Sequence, residues 1–400
     1  MIRKRFAAAL AATALLTIPP VSAQDEVRIG LLFGISGAIS AMAPTMVDAA
    51  RLAISQVNAQ GGIGDGKTLV GTLGDSGCNP QNATDAATKA VNIDRAVAIV
   101  GPSCSGSVLA AAHSVTVPTG TTIISPSATS PELTRLNDRD RVFRTVPSDG
   151  YQGAALARAL LERGIETVAV TYIANDYGAG LAESFRSEFE ANGGTLAAYQ
   201  SHDGSKASYR SELSRLARSG ADTLMIFDYG DGSGLTILRQ SLENGFFEQF
   251  VGADGMQSEA LIRAIGAENL EGLLISAPIG AGAEALERFS QAFRAENGNP
   301  EGIFAATSYD ATFLLALALE HADGDRNALP QSLRAVATAP GEPILPGEWE
   351  KAKQLIAAGE EIDYKGAAGD HEFDDAGDVP GAYALFKVTG NDFEIIAPID

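Results

Sequence analysis

The stretch AVAIVGPSCSGSVLAAA, from Ala96 to Ala112, decides the fold. Ala96–Val100 is a short, continuously apolar run of the kind that forms a fully buried strand. Gly101 and Pro102 end it, serines fill the turn, and a helix-forming segment runs on to about Val115. A buried strand, a tight polar loop and a helix make up the repeating unit of a parallel α/β sheet. Cys104 sits in that loop beside Ser103 and Ser105. Four readings of it are open: nucleophile, metal ligand, half of a disulfide, or no chemistry.

The same rhythm extends outward on both sides. Upstream lie strands at Val27–Phe33 and Lys67–Leu73, and helices at Pro44–Asn58 and Asn79–Asn92, the last opened by an Asn-Pro cap pattern. Downstream, Thr121–Ser125 forms a fourth strand, and after RVFRTVPSD (Arg141–Asp149) the alternation restarts with a helix at Tyr151–Glu162. Strands at Glu166–Tyr172, Thr195–Tyr199, Thr223–Phe227 and up to Asp254 follow, then GLLISAP. Long helices occupy the C-terminal third, including Trp349–Ala358 with Trp349 as its anchor on the first lobe, and AYALFKV is the last expected strand. No low-complexity linker separates the halves, which predicts two lobes joined by short rigid crossings.

Composition narrows the function. Arg3, Lys4 and Arg5 precede an apolar run, and Val21-Ser22-Ala23 offers a cleavage site, so residues 1–23 are expected to be a signal peptide for export to the periplasm. Removing them leaves 26 basic and 50 acidic residues, a formal charge of −24. That excess of acid opposes a nucleic-acid partner. In an oxidising compartment the two cysteines, Cys78 and Cys104, are expected to pair. His113, His202, His321 and His371 are scattered, each expected as a surface or cap residue, so neither a Cys–His nucleophile nor a metal site is expected. There is no G-x-S-x-G elbow, and the glycines of NAQGGIGDG lack the strand–loop–helix setting of a dinucleotide site. No catalytic residue and no cofactor are expected.

Ligands of open α/β sheets bind beyond the carboxyl ends of the strands. Residues there form polar clusters: Ser36 and Ser40, Ser103 to Gly106, Ser125 to Ser130, and in the second half Asn175 to Gly178, Asp228-Tyr229-Gly230-Asp231, and Asp254. Ser105 and Thr129 stand where strands give way to helices. They read either as plain N-caps or as hydroxyls that, with free backbone N–H groups, hold a carboxylate. The acids and tyrosine opposite suit an ammonium group. Together the two walls suit a zwitterion.

These residues carry a family resemblance. QVNAQGGIGDG, DSGCNPQNATDAA, VGPSCSGS, ISPSATSPELT, VFRTVPSD, NDYGAGLAESF and FVGADG occur in the order found in the periplasmic leucine/isoleucine/valine-binding proteins, and the resemblance spans nearly the whole chain after residue 23. It implies a two-lobed type I periplasmic binding fold, each lobe a mostly parallel sheet flanked by helices, with three hinge crossings. The lobes would comprise 24–146 plus 277–368 and 147–276 plus 369–400. It implies a monomeric, non-enzymatic component of an ABC importer that closes on an amino acid and is read by membrane permease subunits. Carried over residue by residue, it places the disulfide on Cys78 and Cys104, and the ligand carboxylate on Ser105 with Thr129 assisting. The ammonium falls on the Ser127 carbonyl, beside Ala128, and on Asp254, where the family usually has glutamate. Tyr177 would close over the ligand.

The chain departs from that pattern in two places. Met42 or a neighbour stands where the family has a pocket tyrosine, and the second-lobe aromatic is absorbed into Asp228-Tyr229-Gly230-Asp231. Two aromatic walls are thus expected to be lost, with Asp228 and Asp231 as candidate ligand contacts. An unpartnered carboxylate against an aliphatic ligand costs several kcal/mol. Either both acids are engaged elsewhere, or the ligand is a basic or polar amino acid, an amide or a urea-like compound. Outside transport, the competing readings are a ligand-sensing receptor domain and an exported hydrolase.

Overall fold

The computed structural model describes residues 25–280, 283–300 and 302–400, so the expected signal peptide lies outside the described residues. Strands β1 (Glu26–Phe33), β2 (Thr68–Asp75), β3 (Ala98–Val100), β4 (Thr122–Ser125) and β5 (Val142–Arg144) form an all-parallel sheet in the order β2-β1-β3-β4-β5. The apolar runs that predicted β1, β3 and β4 are buried on both faces. Leu31, Val100 and Ile124 enter one core with the helices Ala43–Ala59 and Ala305–His321. Their neighbours Leu32, Ile99 and Ile123 enter the opposite core with the helices Pro80–Thr88 and Ser105–Ala111. This is the two-residue alternation of a strand between two helical layers.

The second sheet repeats the plan. Strands β6 (Thr167–Ile173), β7 (Thr195–His202), β8 (Thr223–Phe227), β9 (Gln249–Gly252) and β10 (Leu274–Ile279) are parallel, with Val170 and Met225 in one core and Ala169 and Ile226 in the other. Between them and the C-terminus come β11 (Glu342–Ile344), β12 (Ile362–Gly366) and β13 (Gly369–Asp370), a small separate sheet that the sequence did not suggest. The chain then returns to the second sheet with β14 (Ala382–Thr389) and β15 (Asp392–Ile399), both antiparallel, completing the order β15-β14-β10-β9-β8-β6-β7. Strand β15 was not expected. Pro398 suits it to the sheet edge it occupies.

Other elements follow their local chemistry. The Asn79 side chain caps its helix, accepting from Gln81 N at 2.9 Å and Asn82 N at 3.2 Å. The helix Ala305–His321 is buried nearly all round, as its unbroken run Ala311–Leu319 demands. Trp349 is fully buried at the head of the helix Trp349–Ala358, with Nε1 donating to Gly62 O at 3.3 Å. Among the described residues no helix is long and apolar enough to cross a membrane.

In both sheets the strand order reverses direction beside the first strand of the unit, between β1 and β3 and between β6 and β8. The loops that leave those four strands therefore open at a topological switch point, where side chains from both lobes can meet a ligand.

Candidate binding site

A cavity of about 20 Å³ lies where these loops meet. The first lobe contributes Ile39, Met42, Ser103, Cys104, Ser105 and Ser127, and the second Tyr177, Tyr229, Asp254 and Gly255, with Phe304 completing the wall. That volume holds about one water-sized sphere, so a larger ligand enters only when the lobes part.

Cys104 is bonded to Cys78, with Cα atoms 5.3 Å apart, which ties the loop after β3 to the loop after β2. Cys104 is therefore structural, and it also lines the cavity. Neither Ser105 nor Thr129 is an N-cap. Cys104 and Ser130 hold those positions. Ser105 Oγ instead accepts from Ser130 N at 3.2 Å, coupling the two loops. Ser127 Oγ donates to Ser103 O at 2.8 Å, and Ala128 N donates to Ser125 Oγ at 3.2 Å. Ala128 is fully buried behind the cavity-lining residues, and the buried Thr129 hydroxyl has no hydrogen-bond partner.

Asp254 reaches the cavity from the loop after β9. Its Oδ1 accepts from the Tyr177 hydroxyl at 3.1 Å and from Gln152 Nε2 at 3.1 Å, while the Tyr177 hydroxyl accepts from Gly255 N at 3.1 Å. Position 255 must be glycine at this approach, since a Cβ there would lie 2.6 Å from Asp228 O and 2.7 Å from the Tyr177 hydroxyl. Burial pushes the Asp254 carboxyl up to about 6, with the Tyr177 and Gln152 hydrogen bonds pulling the other way.

A second acid, which the sequence reading passed over, stands behind Asp254. Asp149, at the start of the helix Asp149–Glu162, is fully buried and both its carboxylate oxygens lack hydrogen-bond partners. Its carboxyl is held well above the usual range, first by burial and then by the charge of Asp254. The Thr129 hydroxyl approaches and opposes that shift without reaching hydrogen-bonding geometry. Gln152 Oε1 is likewise buried and unsatisfied. Unpaired buried acceptors are costly, and this group of them is what a cation with several N–H donors satisfies.

Three expectations need correction. The second-lobe aromatic is not lost: Tyr229 lines the cavity and stacks on Tyr177 with centroids 5.0 Å apart. Asp228 does not face the ligand. Its Oδ2 is engaged by His202 Nε2 at 2.7 Å and by the Ser233 hydroxyl at 2.6 Å, and its Oδ1 accepts from Tyr229 N at 2.7 Å. Asp231 also stands outside the cavity, accepting from the Ser258 hydroxyl. Both acids hold the loop that presents Tyr229. His202 and His371 are buried core residues rather than surface or cap residues. His202 also pairs with the Thr171 hydroxyl at 2.7 Å, and His371 Nε2 lies 3.6 Å from Asp310.

Phe304 was also missed, since its signal is conformational. At φ 63° and ψ 10° it occupies the left-handed region, a strain of about 1–3 kcal/mol for a bulky residue, and this turn places it on the cavity wall.

The lobes meet closely beside the site. A Cβ on Gly180, in the helix Asp176–Ala191, would lie 2.8 Å from Pro131 Cδ and 3.0 Å from Ser130 Oγ across the gap. Gly180→Ala should therefore separate two quantities. It favours the isolated helix by about 1 kcal/mol, so the ligand-free protein should melt slightly higher. It overpacks the closed form by about 1–3 kcal/mol, so calorimetry should show ligand affinity falling by roughly tenfold.

Among the described residues no group of three His, Cys, Asp or Glu is placed to hold a metal ion. Residues 45–391 match the family described as "Receptor family ligand binding region". The chain is 30% identical over 316 residues to the leucine-, isoleucine-, valine-, threonine- and alanine-binding protein of Pseudomonas aeruginosa, covering 78% of this chain and 83% of that one. A leucine-binding protein from Thermotoga maritima superposes with a TM-score of 0.80 at 24% identity, over 94% of this chain and 99% of the other. A solute-binding protein from R. palustris in complex with benzoate superposes at 0.75 with 20% identity, over 94% of this chain and 97% of that one. With a cleft between two α/β lobes, matched over residues 45–391 and by a 30% identical relative, the chain belongs to the leucine and branched-chain amino acid-binding family, the non-catalytic type I substrate-binding proteins of ABC importers.

Proposed function

We propose that the ligand is an α-amino acid with an aliphatic side chain, branched or small, captured in the periplasm by a monomer and delivered to the membrane permease. One observation carries this reading: Asp254 and Asp149 place buried acceptors beside the Ser105 loop. The Ser105 hydroxyl and the first-turn amides of its helix suit the ligand carboxylate. Asp254, supported by Asp149 and the Ser127 carbonyl, suits the ammonium. A benzoate-type ligand has no cation to offer and would set its own charge near two buried acids.

The rest of the wall supports an aliphatic side chain. Ile39, Met42, Tyr177, Tyr229 and Phe304 surround the space, and the two acids that a cationic tip would need, Asp228 and Asp231, are engaged elsewhere. Methionine in place of an aromatic adapts to branched chains of different shape.

Thermal unfolding of protein refolded free of retained ligand tests this. Leucine at a thousandfold over its dissociation constant adds about 4 kcal/mol and should raise the midpoint by several degrees, while benzoate at the same concentration should leave it unmoved. A rise with benzoate and none with leucine overturns the amino-acid reading.

A further inference from the structure

A second pocket of about 130 Å³, open to solvent along Glu259, Arg263 and Asp392, lies between the lobes and has more than six times the volume of the ligand cavity. Thr45 and Ala41 line it from the first lobe, and Ser258, Glu259, Arg263 and Asp392 from the second. Met42 lines both spaces, and the consecutive residues Ile303 and Phe304 line one each. Met42 is thus the side chain common to both walls, and it is only 7% exposed. An unbranched thioether rotates about three bonds at little cost, so a partition made of it can yield.

The chamber differs chemically from the cavity. Arg263 lies at its solvent-exposed rim, paired with Glu259 by donating to Oε2 at 2.9 Å. Asp392 is exposed, and among the described residues its side chain has no ion-pair or hydrogen-bond partner. The surplus charge of this pocket is therefore negative.

Resting on the amino-acid reading above, we propose that Met42 is the specificity-determining partition of this protein. In place it limits the ligand to a short aliphatic side chain. Displaced, it opens the way to a chamber that takes the distal end of a longer amino acid with a cationic tip. The short side chain ends against Met42, and the longer one passes it and reaches the Asp392 end of the chamber.

Calorimetry with L-leucine and L-lysine on ligand-free protein tests this. The wild type should prefer leucine by a hundredfold or more. M42A should narrow that ratio at least tenfold by gaining lysine affinity, and M42L, which refills the partition, should restore the preference. Asp392→Asn in the M42A background should remove the lysine gain. A ratio unchanged in M42A, or a lysine gain untouched by Asp392→Asn, overturns the partition while leaving the amino-acid reading in place. A wild type that binds neither amino acid overturns both.

Discussion

Asp254→Asn should weaken amino-acid binding severely and stabilise the ligand-free protein, two effects of opposite sign from one substitution. Truncating one member of a buried charge pair costs about 2–5 kcal/mol of affinity, or roughly thirtyfold to several thousandfold. The desamino analogue of the same ligand lacks the ammonium and should lose far less, so calorimetry on the pair isolates the charge contact. Stability moves the other way. The Asp254 carboxyl is raised to about 6 by burial, so folding is favoured by its proton: the contribution is present at pH below the usual carboxyl value and lost as pH rises through 6. Above that, wild type carries a buried anion beside Asp149 at a cost of about 3 kcal/mol. Asparagine removes that cost, so the variant should melt higher than wild type at pH 8, and the gap should close by pH 4. Equal losses for the amino acid and its desamino analogue would remove the ammonium role.

Ligand affinity shares the same titration. An ammonium needs the anionic acids, and binding must displace any proton held by Asp254 or Asp149. Affinity should therefore fall as pH drops through about 6, whereas a purely apolar contact would not titrate there. The unpaired acceptors of the ligand-free site are a reservoir of unfavourable energy that only a donor-rich ligand relieves.

How much of this was legible in the sequence depended on whether the signal was local. The strands β1, β3 and β4 were visible because each is an apolar run ended by glycine or serine, and the cavity loops followed from where those runs end. Asp149 was invisible as a site residue because an acid opening a helix is ordinary dipole chemistry. Its burial comes from the two lobes meeting there, with Thr129 and Arg144 on one side and Asp254 on the other. The exchange between Tyr229 and its neighbouring aspartates depended on a long-range partner: His202, 26 residues earlier, takes up Asp228 and leaves the tyrosine facing the cavity. Strands β11 to β13 are too short and polar to show a two-residue period, and their pairing is set by the helices packed around them.

Arg144→Met should cost more stability than other single substitutions near the site. Arg144 is 1% exposed at the end of β5, donating to Asp378 Oδ1 at 2.6 Å and to Asp378 Oδ2. It also donates to Thr129 O at 2.9 Å, Ser130 O at 3.0 Å and the Thr134 hydroxyl at 2.8 Å. One guanidinium thus fastens the loop that carries Ser127 and Thr129 to Asp378, which precedes the return of the chain into β14. Methionine fills similar volume but leaves Asp378 buried and unpaired except for Thr134, a loss of about 3–5 kcal/mol. Thermal unfolding should show the midpoint lower by several degrees. Adding Asp378→Leu removes the stranded charge, and replacing both members of a buried pair by apolar groups is close to neutral, so the double variant should regain most of the stability. It should not regain affinity, because the carbonyls of Thr129 and Ser130 keep only the backbone donors Asp149 N and Leu133 N and the ligand loop has lost its guanidinium tie. A double variant that recovers both would make Arg144 a residue of the fold alone; recovery of stability without affinity assigns it to positioning the loop, because the charge is then balanced and only the loop's geometry differs from wild type.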